Sequence, residues 1–210
     1  MKGFIFDLDG VIVSTDGLHY LAWKRMADQE GIYFDEEINN RLRGVSRMAS
    51  LEIVLERANK AYTDDEKLAL ATSKNDIYKE LLKSLTPKDI LPGVESTLKE
   101  LRSRGYKLAI GSSSRNTPAI LKYIGLEGFF DAVSDGNNIT NSKPDPEVFN
   151  KAAIFLGLDN AECYVVEDAK AGVDAGVAGG FTTIALGDAY GYEKANYSIK
   201  DFDEILTITE

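Results

Sequence analysis

Hydrophobic positions along the chain change period twice, and the changes mark out its elements. Phe4-Ile5-Phe6 is an unbroken apolar run that ends in Asp7-Leu8-Asp9-Gly10. A short apolar run closed by turn residues predicts a strand buried on both faces. Further on the spacing becomes helical: Leu18, Leu21, Ala22, Met26 and Ala27 recur through Glu30, and the pattern resumes after Gly31 and runs, with breaks, to Leu85. No strand is predicted between residues 36 and 85. Ser46 is placed to cap a helix over 47–58, and Thr63-Asp64-Asp65-Glu66 has the capping-box form that opens another. From Thr86-Pro87 onward strands and helices alternate. The expected order is a helix over 95–104 ended by Gly105, a strand over 107–111, a helix over 117–124 ended by Gly125, and a strand over 130–133. A helix over 146–156 follows, then a strand over 163–166 running into Glu167-Asp168, a helix stopped by Gly179-Gly180, and a strand over 182–186. Residues 188–196 read as a polar loop before a last short element. Such alternation implies right-handed crossovers and a mostly parallel sheet, an α/β fold interrupted by a small helical bundle.

Composition narrows the function. A formal net charge of −10 argues against nucleic acid or an anionic membrane as a partner, since both need positive surface. A few cations lining a pocket can still hold a small anion, because their field acts locally. With 44% apolar residues in 210 the chain has material for a sizeable core. The one cysteine, Cys163, lies in an apolar run and reads as a small core residue, and no internal disulfide is possible. No secretory leader pattern and no membrane-length apolar stretch is present, so a cytoplasmic protein is expected. A monomer is expected as well.

In parallel α/β sheets ligands bind beyond the carboxyl ends of the strands. The reading above puts Asp7, Asp9, Ser112, Ser113, Ser114, Glu167 and Asp168 there, with Lys143 supplied by the Asn141-Ser142-Lys143-Pro144-Asp145-Pro146 loop. Residues i and i+2 of an extended chain point the same way, so Asp7 and Asp9 can serve one site. Each feature also has a plain explanation. Asp and Gly are ordinary turn residues, the serines suit a helix N-terminus, Glu167-Asp168 complements a helix dipole, and Lys143 reads equally as a solvated loop residue. Together they describe one cleft. Clustered carboxylates need a shared proton or cation, Mg²⁺ takes oxygen ligands, and a lysine with hydroxyls suits phosphoryl oxygens.

Asp7-Leu8-Asp9-Gly10-Val11, the strand-end Ser112, Lys143-Pro144 and Glu167-Asp168, in that order, resemble the four motifs of the haloacid dehalogenase superfamily of phosphotransferases. The resemblance covers the whole chain. It implies a Rossmann-like catalytic core from residues 1–13 and 86–210, an α-helical cap over 14–85, and phosphoryl transfer through an aspartyl-phosphate. On that resemblance Asp7 is the nucleophile, Asp9 the general acid and base, and Lys143 a charge-neutralising group. Mg²⁺ is then held by Asp7, the main-chain carbonyl of Asp9, Glu167 and Asp168.

Thr15, His19, Trp23, Arg43-Gly44-Val45-Ser46-Arg47 and Lys74-Asn75-Asp76, with the Ser112-Ser113-Ser114-Arg115-Asn116 loop, are similar to the superfamily's phosphosugar mutases. These interconvert β-D-glucose 1-phosphate and glucose 6-phosphate through β-glucose 1,6-bisphosphate. The likeness implies a first phosphate site of Ser112, Ser113 and Lys143 and a second of Arg47, Ser114, Arg115 and Asn116. Thr15 and His19 lie one helical turn apart just past the hinge, and from that placement they are expected to hold Asp9 away from a phosphorylated Asp7 until sugar binds. Trp23 reads as packing or sugar contact, and Lys74 as sugar contact or a solvent-facing residue. Ser113 and Arg115 stand where those mutases usually have alanine and lysine, and both remain compatible with phosphate. A sugar-phosphate phosphatase of the same superfamily is the alternative, since it would share Asp7, Asp9 and the metal site. A phospho-accepting receiver domain is disfavoured by the helical run that follows the first strand.

Overall fold

In the computed structural model, which describes residues 2–42 and 46–208, Phe4, Ile5 and Phe6 have no exposed surface. They form β1 (Gly3–Phe6), covered on both faces. Phe4 and Phe6 point one way and stack at 5.7 Å, with Tyr164 and Phe202 beside them. Ile5 points the other way into a cluster with Ala109, Phe149 and Val165. The helical stretch gives α1 (Asp16–Gln29), α2 (Glu36–Asn40), α3 (Arg47–Leu55) and α4 (Asp64–Leu82). Beyond it come α5 (Val94–Ser103), β2 (Lys107–Gly111), α6 (Thr117–Tyr123), β3 (Ala132–Ser134), α7 (Glu147–Leu156), β4 (Cys163–Glu167) and α8 (Lys170–Ala178). The chain finishes with β5 (Thr182–Ala185), β6 (Tyr197–Ser198) and α9 (Ile205–Ile208).

All strand pairings are parallel, in the order β3-β2-β1-β4-β5-β6. This is a doubly wound sheet of Rossmann order, and its direction of winding reverses between β1 and β4. There Phe6 pairs with Val166, so Asp7 and Glu167 leave the sheet side by side.

The chain divides into two compact units, Met1–Ser14 with Thr86–Glu210, and Thr15–Leu85. The helical unit has its own core, built from Trp23, Met26, Phe34, Leu51, Val54 and Ala71 among others. Thr63 and Glu66 form the capping box that starts α4, and Ser46 accepts from the Ala49 amide to start α3. Among the described residues no helix is long and apolar enough to cross a membrane.

Two boundaries depart from expectation by two residues or more, and one strand is added. α3 stops at Leu55, because the amides of Arg57 and Ala58 turn to carbonyls three residues back and tighten the last turn. β3 starts at Ala132, and Phe130 is apolar because it packs, not because it is in the strand. β6 is an added sixth strand, two exposed residues long, with no alternation for a sequence pattern to register. Arg43, Gly44 and Val45 of the loop motif lie outside the described residues.

Candidate functional site

The amide of Asp7 continues the sheet by donating to the Val166 carbonyl at 2.9 Å, which aims its carboxylate beyond the strand end. Lys143 arrives from the loop before α7 and donates to both Asp7 Oδ1 and Glu167 Oε1. Its ammonium also lies 4.6 Å from the centre of the Phe149 ring. The Lys143 side chain is only 9% exposed, so this is a buried acid–lysine–acid bridge. Burial opposes the Lys143 charge, but the Asp7 and Glu167 carboxylates outweigh it and push the lysine above its ordinary pKa. The second oxygen of Glu167 is held by the Ala169 amide at 3.0 Å.

Two glycines make room for the neighbouring acids. A Cβ on Gly172 would lie 1.9 Å from the Glu167 carboxyl carbon, and one on Gly10 would lie 2.0 Å from Asp168 Oδ2. Gly10 has φ of 84° besides, a left-handed turn that lets the chain fold back so that its amide meets the Val13 carbonyl. Burial, against the pull of Lys143, pushes the Glu167 carboxyl up. Burial and then Glu167, Asp7 and Asp9 push Asp168 up to about 9.

Among the described residues no three Asp, Glu, His or Cys side chains stand in a ready ligand geometry. Of the expected metal set of Asp7, Asp9, Glu167 and Asp168, Asp7 and Glu167 are bridged by the Lys143 ammonium. The donor chemistry still suits a hard cation. An acid that prefers its proton above neutrality, beside three further carboxylates, marks a place where added positive charge is stabilised.

Beyond β2, Ser112 Oγ accepts from the Ser114 amide (3.2 Å) and Ser114 Oγ from the Asn116 amide (3.1 Å). These turns bring Ser112, Ser113, Ser114, Arg115 and Asn116 into one tight loop on the strand next to β1. Arg115 donates through Nε to the Gly136 carbonyl at 3.2 Å. Ser113 Oγ is buried with no hydrogen-bond partner.

Within the helical unit the structure gathers Thr15, His19, Trp23 and Lys74 around a residue that sequence reasoning missed, Tyr78. Thr15 Oγ1 shares a 2.8 Å hydrogen bond with the Tyr78 hydroxyl, and the His19 ring stacks on Tyr78 at 4.1 Å. Lys74 donates to His19 Nδ1 at 2.8 Å and sits over the rings of Trp23 (4.8 Å) and Tyr78 (4.7 Å). Lys74 is thus buried and not solvent-facing; two aromatic faces and an imidazole replace its water. Accepting at Nδ1 puts the ring proton of His19 on Nε2. Burial, then Lys74 and Arg47, hold His19 well below its ordinary pKa, so the imidazole is neutral. Trp23 is part of the helical core as well as a neighbour of Lys74. The signal for Tyr78 was its spacing, four residues after Lys74 on one helix face.

Similarity to known proteins agrees with this arrangement. A β-phosphoglucomutase of Bacillus subtilis is 42% identical over 189 residues, 89% of this chain and 84% of its own length. A phosphorylated carbohydrates phosphatase of Thermotoga maritima is 32% identical, over 88% of this chain and 84% of its own. A crystal structure of β-phosphoglucomutase from Clostridium difficile superposes with a TM-score of 0.91 at 37% identity, covering 100% of this chain and 96% of that one. The model of the haloacid dehalogenase-like hydrolases matches residues 1–180. That match spans both units and takes in every acid at the sheet edge, from Asp7 to Asp168: the chain belongs to the haloacid dehalogenase-like hydrolase family.

Proposed function

We propose that the chain is a β-phosphoglucomutase, converting β-D-glucose 1-phosphate to glucose 6-phosphate through a phosphorylated Asp7 and β-glucose 1,6-bisphosphate. The observation that carries the reading is the Lys143 ammonium bound to Asp7 at the β1–β4 edge. A carboxylate attacks an anionic phosphoryl group only where positive charge compensates both, and phosphoryl transfer asks a protein mainly for alignment and charge. The 42% identity to a mutase supports a sugar phosphate as the substrate class.

On this reading the Asp7 carboxylate holds the phosphoryl group at the start of the cycle. The sugar hydroxyl attacks phosphorus, Asp9 takes its proton, and the bond to Asp7 breaks. The bisphosphate then returns its other phosphoryl group to Asp7, and Asp9 gives the proton to the departing sugar oxygen. Lys143, Ser112 and Ser113 hold the phosphoryl being moved. Arg47, Ser114, Arg115 and Asn116 are assigned to the phosphate that stays, Trp23 and Lys74 to the sugar, and Thr15 and His19 to deciding when Asp9 acts. Asp7, the main-chain carbonyl of Asp9, Glu167 and Asp168 would hold Mg²⁺, which when bound adds charge compensation at the phosphoryl oxygens.

Phosphorus NMR of β-glucose 1-phosphate with Mg²⁺ and a trace of the bisphosphate tests the reading. Glucose 6-phosphate is expected, and Asp7→Asn should bring turnover to background while the circular dichroism spectrum is unchanged. Inorganic phosphate as the main product would assign a phosphatase instead, the reading that the Thermotoga relative favours. Turnover surviving in Asp7→Asn would remove the phosphoaspartate altogether.

A further inference from the structure

Lys143 reaches Asp7 from a loop, and a loop is a poor place from which to hold a charge to within an ångström. The structure shows what steadies it. Glu147, in the first turn of α7, turns its carboxylate back on the loop and accepts from the amides of Thr140 (3.0 Å) and Asn141 (2.8 Å). Lys151, one turn later, donates to Glu147 Oε1 at 2.8 Å and also to the Asn138 carbonyl. Asp145 closes the far side by accepting from the Glu147 amide at 2.9 Å. Phe149 of the same helix lies under the Lys143 ammonium. Helix α7 therefore grips the segment before Lys143 with two charged side chains and faces the lysine itself with an aromatic ring.

We infer that Glu147 is a positioning residue for Lys143: by clamping the Thr140 and Asn141 amides to α7 it fixes where the ammonium meets Asp7 and Glu167. The catalytic consequence rests on the role given to Lys143 above; the clamp itself does not. Lys151 and the two amides hold the Glu147 carboxyl down at about 2, so it is ionised throughout any working pH. Every partner of the carboxylate is a donor. A glutamine there can keep its oxygen on the Thr140 and Asn141 amides, which share Oε2, by turning its NH₂ toward Lys151, so Glu147→Ala, which removes both acceptor oxygens, is the change that breaks the clamp.

The test is NMR and kinetics on the 210-residue protein, wild type against Glu147→Ala and, as a second variant, Lys151→Gln. Exchange of the Thr140 and Asn141 amides and of the Lys143 ammonium protons should each quicken about tenfold or more in Glu147→Ala, and less in Lys151→Gln. Mutase kcat/KM should fall about tenfold through kcat, with melting temperature lowered by a few degrees and the fold retained by circular dichroism. Unchanged amide exchange overturns the clamp. Amides that loosen while the Lys143 ammonium stays protected overturn the link to the lysine. Absence of mutase turnover in the wild type would count against the proposed function alone, with the NMR comparison still deciding this inference.

Discussion

Replacing Lys143 by methionine removes the charge and keeps an unbranched side chain beside Phe149. Asp7 and Glu167 remain, 8% and 1% exposed, facing each other and Asp168 without the ammonium that bridged two of them. Removing one partner of a buried ionic group costs about 3–5 kcal/mol. Here the loss must depend on pH, and its sign follows from the acids. Glu167 and Asp168 have folded-state pKa values raised above their ordinary 4.5 and 3.8, Asp168 to about 9. Between the ordinary and raised values the folded chain holds protons that the unfolded chain has released. Stability therefore falls as pH rises through that window, by up to about 1.4 kcal/mol per pH unit for each such site. Lys143 opposes this rise in both groups, so its removal steepens the fall. Urea unfolding in divalent-free buffer, followed by circular dichroism, should show a deficit in Lys143→Met of about 1 kcal/mol near pH 5 and about 3–5 kcal/mol near pH 8. A deficit that is the same at both pH values, or below about 1 kcal/mol near pH 8, would refute the idea that this ammonium makes the acid cluster tolerable.

Two further substitutions probe separate parts of the molecule. Arg47→Ala should lose two charge-assisted bonds to a sugar phosphate, lowering kcat/KM about a hundredfold or more, while hydrolysis of a small acyl phosphate changes little; equal losses on both substrates would make Arg47 structural. Gly172→Ala puts a methyl group 1.9 Å from the Glu167 carboxyl carbon, so it should displace Glu167 and cost about 1–3 kcal/mol of stability together with most activity. Full activity at wild-type stability in that variant would show that the position of Glu167 is not held by this contact.

The sheet was legible because its strands are short apolar runs closed by turn residues, and Asp7, Ser112 and Glu167 followed from where those runs stop. The caps at Ser46 and Thr63 were legible because they are local chemistry. Lys74 was not. It shares a helical stripe with Ala71, Tyr78 and Leu82, all buried, yet a lysine on any stripe prefers water unless something replaces it. What replaces it here is Trp23, Tyr78 and His19, brought together from two helices far apart in the chain. Glu147 was hidden for the same kind of reason. An acid in the first turn of a helix already has an explanation in the helix dipole, and only the folded loop shows that it faces Thr140 and Asn141. Burial of Lys143 between two acids likewise depends on strands adjacent in space but distant in sequence.

β1 pairs with β2 on one side and β4 on the other, and both lie beyond the helical unit in the chain. A ribosome therefore delivers the central strand first and its partners much later. The residues of Thr15–Leu85 find their packing partners within their own stretch and can fold as soon as they emerge. Phe4, Ile5 and Phe6 have no such option. They must wait, apolar on both faces and with both edges unpaired, until Lys107–Gly111 and then Cys163–Glu167 have been made. The strand that leads into Asp7 is thus an aggregation hazard during synthesis, and Asp7 reaches its place beside Glu167 only after Cys163–Glu167 has been made.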